Sequence, residues 1–220
     1  ATGEQLRSQP GPDGSEPLLA ISRDGGRLAA GGATGPIRLL DAASGRELLT
    51  VDGHQGGVYA LAFSPDGRWL ASGGAKDGRI VIRDAADGRE RRVISGLVHS
   101  VHALAFSPDG RRLASAIGEG GLKAWEVPAG RQVFDMTGHQ GQIRALAYSA
   151  DGERLVTGGS DQALRIWDAR AGRVLLTVGG HRGKIYALAF SPDGRSLASG
   201  GRDKTIRVWM TDDWHLAAGR

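Results

Sequence analysis

Histidine is the side chain best suited to metal binding or proton transfer near neutral pH, and the chain has six. His54, His139 and His181 each follow a glycine and recur at matching places along the sequence. A residue repeated in this way is spread through the molecule rather than gathered at one centre, and points to burial beside a hydrogen-bonding partner. His99 and His102 are spaced to chelate a metal on a helix but not on a strand. No His/Asp/Glu cluster has metal-ligand spacing. Aspartates in the turns Ser64-Pro65-Asp66-Gly67, Ser107-Pro108-Asp109-Gly110 and Ser191-Pro192-Asp193-Gly194 could serve acid–base chemistry. Their recurrence instead marks turn formation, where Asp and Gly are favoured. Gly179-Gly180-His181-Arg182-Gly183-Lys184-Ile185 is glycine-rich, but its spacing misses a phosphate loop and no Ser or Thr follows the lysine. Ser-x-x-Lys and Gly-x-Ser-x-Gly nucleophile patterns are absent. With no cysteine there is no disulfide, thiolate metal site or thiol nucleophile. The expectation is a non-enzymatic chain without catalytic, metal or cofactor residues.

The elements that must position these residues come from a repeat. Ser22-Arg23-Asp24-Gly25 and Ser149-Ala150-Asp151-Gly152 complete five copies of the turn, whose first residues lie 42, 43, 42 and 42 apart. A fixed period near 40 residues means one supersecondary unit copied along the chain. Within one unit, Val58–Phe63, Trp69–Ser72, Ile80–Ile82 and Arg92–Ile94 read as four short strands joined by hairpin-length turns. The first three are apolar on both faces, so every sheet needs cover on both sides. A ring of sheets around an axis provides it. Ala60-Leu61-Ala62-Phe63 recurs as 103–106, 145–148 and 187–190, and weakly as 18–21. Its alanines let neighbouring sheets approach near the axis while Leu and Phe fill the space between them. The fold class is therefore all-β, a propeller of four-stranded antiparallel sheets forming a single domain. The repeats span approximately 1–42, 43–85, 86–127, 128–169 and 170–211, with a tail at 212–220.

This pattern resembles the WD-repeat β-propeller family. Gly138-His139, Thr157, Asp161 and Trp167-Asp168 match the family signature in one repeat; Gly180-His181, Ser199, Asp203 and Trp209 match it in another, with Met210 in place of Asp. The resemblance implies hydrogen-bonded structural tetrads, in which Asp161 orients His139, His139 bonds Thr157 and Thr157 accepts from Trp167. The second repeat has Arg83 at the tryptophan slot, and the third has Leu97 for His and Glu119 for Asp. The first has lost all four, so complete tetrads are expected only in the last two repeats, with the N-terminal part the softer half of the ring. The family also implies that an opening strand, here Ala1–Leu6, completes the last sheet. That segment fits the repeat better than its competitor, Trp214–Ala218. Five repeats allow a closed ring, an excerpt of a larger one, or an arc that closes with another copy.

Two surfaces could bind. Loops near the axis carry Gln55, Tyr59, His102, Arg144, Arg182, Lys184 and Tyr186, with Lys76, Ser160 and Arg202 in the second loop. These residues differ between repeats whose framework barely changes, as a recognition surface would and as neutral drift at exposed loop positions equally would; family resemblance implies that this face binds a protein or peptide. The opposite face carries arginines after the first turn (Arg27, Arg68, Arg111, Arg154, Arg195) and in the third (Arg46, Arg89, Arg131, Arg173). A polyanion or acidic partner on that rim is the alternative, and a channel-based enzyme or ligand binder is the third reading. With 28 basic and 24 acidic residues, the charge balance argues little for nucleic acid. Apolar runs are too short to span a membrane as helices. The missing leader and cysteines favour the cytoplasm, although an alanine at position 1 reads as a cut or processed chain.

Overall fold

In the computed structural model, which describes residues 18–33, 35–211 and 214, the serine turns act as hairpin clamps. Ser64 Oγ donates to Asp66 Oδ1 and accepts from the amide of Trp69, while Asp66 Oδ1 also accepts from the amide of Arg68. The serine–aspartate bond measures 2.5–2.6 Å in all five copies. Gly67 occupies the left-handed region at φ 69°, which glycine enters without a Cβ penalty. The serine hydroxyl is the main influence holding Asp24, Asp66, Asp109 and Asp193 below the usual carboxylate range.

Among the described residues these clamps organise nineteen strands into five antiparallel sheets. Blade 1 holds β1 (Leu18–Ile21), β2 (Arg27–Gly31), β3 (Ile37–Asp41) and β4 (Glu47–Val51); blade 2 holds β5 (Val58–Phe63), β6 (Trp69–Gly74), β7 (Ile80–Asp84) and β8 (Glu90–Ile94). Blade 3 follows with β9 (Val101–Phe106), β10 (Arg112–Ile117), β11 (Gly121–Glu126) and β12 (Gln132–Met136), and blade 4 with β13 (Ile143–Tyr148), β14 (Arg154–Gly159), β15 (Leu164–Asp168) and β16 (Arg173–Val178). Among the described residues blade 5 has three strands, β17 (Ile185–Phe190), β18 (Ser196–Gly201) and β19 (Ile206–Met210). The sequence repeat and the blade are offset by one strand: from the second on, each repeat opens with the outer strand of the preceding blade. The 43–85 repeat, for instance, contains β4 and then β5 to β7.

First strands pack on one another in order, β1 on β5, β5 on β9, β9 on β13 and β13 on β17, and so line the axial side. Close approach needs glycine at selected places. A Cβ on Gly73 would stand 2.5 Å from Val101 Cγ1, and one on Gly158 would stand 2.6 Å from Ile185 Cγ2. The core lies between blades. Ile80 and Ile82 of blade 2 cluster with Leu104, Phe106 and Leu113 of blade 3. Leu164 and Ile166 of blade 4 meet Leu188, Phe190 and Leu197 of blade 5 in the same way.

The two ends lack this cover. Ile80, Ile82, Leu164 and Ile166 are at most 1% exposed, yet their counterparts Ile206 and Val208 on β19 are 80% and 67% exposed. On β1, Leu19 and Ile21 are 54% and 61% exposed, whereas the equivalent Leu104 and Phe106 are buried. The described sheets thus form an arc, with no packing of β1 on β17 comparable to the other first-strand junctions. The expected closing strand Ala1–Leu6 lies outside the described residues, as do residues 215–218. Trp214 is not in a strand: its amide bonds the Thr211 carbonyl at 3.1 Å, and its ring meets Phe190 edge-on at 6.3 Å.

Candidate functional site

Between the first and second strands of blades 2, 4 and 5, the ladder skips one residue: pairing passes from Val58 to Ala60, Ile143 to Ala145 and Ile185 to Ala187. Blade 3 makes the same slip between Val101 and Ala103. The skipped residues are Tyr59, His102, Arg144 and Tyr186. A bulge removes its residue from the ladder and re-aims its side chain, so one position in each of these blades is released at the axial end of the sheet. Tyr59 and Tyr186 are about half exposed. The Tyr59 and His102 rings stack across the blade 2–3 junction, with centroids 5.8 Å apart and planes 25° from parallel. Burial, and then the nearby Arg144 guanidinium, push the His102 imidazole below its ordinary pKa.

The second loop is tied to the same end by a backbone bond repeated in each of these blades: Ala75 to Gly57, Gly118 to Ser100, Ser160 to Gln142 and Arg202 to Lys184, all near 2.9 Å. Ser160, Lys184 and Arg202 therefore border the bulge ring. Lys76 sits one residue beyond Ala75, over Gly56, where an added Cβ would collide with its side chain. The predicted mouth residues are thus brought to one end of the arc. Lys76, Arg182, Lys184 and Arg202 form no side-chain ion pair with any described residue. Two buried polar atoms there, Arg144 Nε and Ser160 Oγ, have no hydrogen-bond partner.

The glycine-flanked histidines are held inside the blades. In blade 4, His139 Nδ1 lies 2.8 Å from Asp161 Oδ1 and Nε2 lies 2.7 Å from Thr157 Oγ1, while Trp167 Nε1 donates to that hydroxyl at 2.8 Å. Because Thr157 accepts from the indole, its own proton goes to Nε2, leaving Nδ1–H to donate to Asp161. The 2.6 Å approach of Arg165 Nη1 to His139 Nδ1 then joins two donors, so the productive partner of Arg165 is Asp161 Oδ2, also at 2.6 Å. Burial lowers the His139 pKa despite the carboxylate beside it. Blade 5 repeats the chain through Asp203, His181, Ser199 and Trp209.

Blade 2 contains what sequence reasoning missed. His54 bonds Asp77 at 2.8 Å and Ser72 at 2.9 Å, and the 4%-exposed Arg83 points inward to donate to Ser72 at 3.3 Å and Glu90 at 2.7 Å. A guanidinium replaces the indole donor; the signal was an Arg at a tryptophan slot with Glu90 seven residues on. Blade 3 keeps only Trp125 on Ser115, at 2.8 Å. Where its histidine and aspartate are missing, Leu97, Val98, Trp125 and the exposed Glu119 line a cleft of about 670 Å³.

On the opposite end, acids partner part of the arginine rim. Arg131 pairs with Glu126, Arg89 with Asp87 at 3.8 Å and Arg173 with Asp168 at 4.0 Å, while Arg91 and Arg170 nearby pair with Asp84 and Glu153. Arg68 lies over the Trp69 ring at 4.4 Å. A second cleft there, about 680 Å³ between blades 3 and 4, mixes Arg111, Arg112 and Arg170 with Asp109 and Glu126. Tyr148 also lines it, its hydroxyl pushed up to about 12 by burial. Among the described residues no group of three His, Cys, Asp or Glu could hold a metal ion, and no helix is long and apolar enough to cross a membrane.

The fold and this geometry agree with known proteins. Residues 45–84, 90–126, 130–168 and 172–210 match the family profile described as WD domain, G-beta repeat. The β-propeller domain of Cps50 (Swd1) from Myceliophteria_thermophila superposes with a TM-score of 0.81 at 22% identity, covering 94% of this chain and 67% of that one. "Centriole proteome protein 16" of Chlamydomonas reinhardtii is 42% identical over an alignment covering 27% of this chain, which spans only 4% of that protein's length. With matches over more than half its residues, the chain belongs to the WD domain, G-beta repeat family.

Proposed function

We propose that the chain is a non-enzymatic interaction module that docks a protein or peptide at the axial mouth formed by the bulge ring. The observation that carries this reading is one register slip in four blades, which releases four side chains of three types, Tyr59, His102, Arg144 and Tyr186, from otherwise matching frames. WD-repeat propellers generally act as protein-interaction scaffolds. The residue types that could have served catalysis have other work: the glycine-flanked histidines satisfy buried hydroxyls and carboxylates, and the turn aspartates clamp hairpins. The arginine rim is the weaker docking surface because carboxylates pair with Arg89, Arg131 and Arg173 and the turn aspartates stand beside Arg27, Arg68, Arg111 and Arg195.

Panning a random-peptide phage library against the wild-type chain and against Arg144→Glu/Lys184→Glu tests the proposal. The expected result is peptides enriched on the wild type that do not bind the double variant, with an unchanged melting temperature. Equal enrichment on both proteins would sink the mouth as the docking site.

A further inference from the structure

The mouth is not uniform, and its asymmetry specifies a partner chemistry. On the blade 2–3 side it presents the planar Tyr59–His102 stack with a single unpaired cation, Lys76, in the loop beside it. On the blade 4–5 side it presents cations: Arg144 on the β13 bulge, Arg182 before β17, and Lys184 and Arg202, whose backbones are joined by a 2.8 Å hydrogen bond. Acids near these cations are already committed. Asp203 accepts from the amides of Arg182 and Thr205, the Thr205 hydroxyl and His181. The Arg182 amide is the largest influence keeping its carboxylate well below the usual range. Asp161 accepts from His139, Arg165 and the amide of Gln140. Lys184 and Arg202 thus bring two like charges to adjoining backbone positions, and neither is paired with a carboxylate among the described residues.

Resting on the mouth as the docking site, we infer that the partner is an extended acidic peptide segment. Its carboxylates lie over Arg144, Arg182, Lys184 and Arg202, and an adjoining side chain packs on the Tyr59–His102 stack. The cations are spread over two blades rather than converging on one point, which suits several carboxylates along a strand better than one free phosphate. The near balance of 28 basic and 24 acidic residues argues little for a nucleic-acid backbone.

The test is fluorescence anisotropy with a labelled octapeptide of alternating Glu and Gly, beside Lys/Gly and Ser/Gly octapeptides of equal length. The Glu peptide should bind at least tenfold more tightly than either control. Raising salt from about 50 to 200 mM should weaken it several-fold, because the charges meet near solvent. Lys184→Glu/Arg202→Glu should weaken it at least tenfold, whereas the charge-matched Arg89→Glu/Arg173→Glu on the opposite end should change it less than twofold. Indifference to peptide charge, equal loss in both variants, or displacement by a single-stranded 12-mer at lower concentration would each overturn the inference. If the Ser/Gly peptide binds best and Tyr59→Ala abolishes that binding, the mouth stands and its acidic chemistry falls. If no peptide responds to either mouth variant, the docking site falls too.

Discussion

Blades 3 and 4 adjoin and have matching strand patterns, yet they solve the same interior differently. Blade 4 runs an unbroken polar chain from Asp161 through His139 and Thr157 to Trp167. Blade 3 keeps the Trp125–Ser115 bond, fills the histidine slot with Leu97 and leaves Glu119 to solvent. Both form four strands with the same bulge. The polar chain is therefore not required to build a blade; its value depends on every member being satisfied, since removing one strands the others.

That contrast can be broken most forcefully at the indole. Trp167 is 1% exposed, and Trp167→Ala should cost about 3–5 kcal/mol in urea unfolding by leaving a cavity and unpairing Thr157. A loss below about 1 kcal/mol would mean that the blade collapses around the gap. His139→Leu, which gives blade 4 the blade 3 residue, should cost about 1–3 kcal/mol because Asp161 loses its imidazole donor. Adding Asp161→Glu should recover part of that loss, as the longer carboxylate can reach water; no recovery would place the damage elsewhere.

Arg83→Met in blade 2 should shift stability by no more than about 1 kcal/mol. An apolar chain of similar length replaces a cation whose pKa burial already lowers, and Glu90 remains half in water. The gentlest probe is pH. His54 and His139 have folded pKa values depressed mainly by burial, so they stay neutral in the fold while the unfolded chain protonates. Their contribution is complete above about pH 6.5 and declines as pH falls toward the folded values. Thermal melting between pH 7.5 and 5.5 should therefore fall for the wild type and fall less for His139→Leu.

The strands, turns and repeat were legible because each rests on local chemistry: Ser and Asp clamp a hairpin wherever they stand at this spacing. The interior tetrads were legible from four residue types at fixed offsets. The bulges were not, since Tyr59 and Arg144 look like ordinary strand residues and only pairing with the second strand reveals the skipped position. Arg83 was hidden for a related reason, because an arginine at a strand end normally faces water. Nor could residue identity reveal the bare face of β19. Ile206 and Val208 resemble Ile80 and Ile82, and only the adjoining sheet makes them core or surface.

The one-strand offset between repeat and blade has a consequence for synthesis. A ribosome that has finished the repeat at 43–85 has completed blade 1 but has made only three strands of blade 2; the fourth, β8, arrives with the next repeat. Each blade therefore keeps an unpaired edge until its successor begins to emerge. Copying this gene segment by whole repeats adds length without adding an independently finished sheet. The sequence repeat and the blade are out of phase, so each repeat after the first supplies the outer strand of the blade before it.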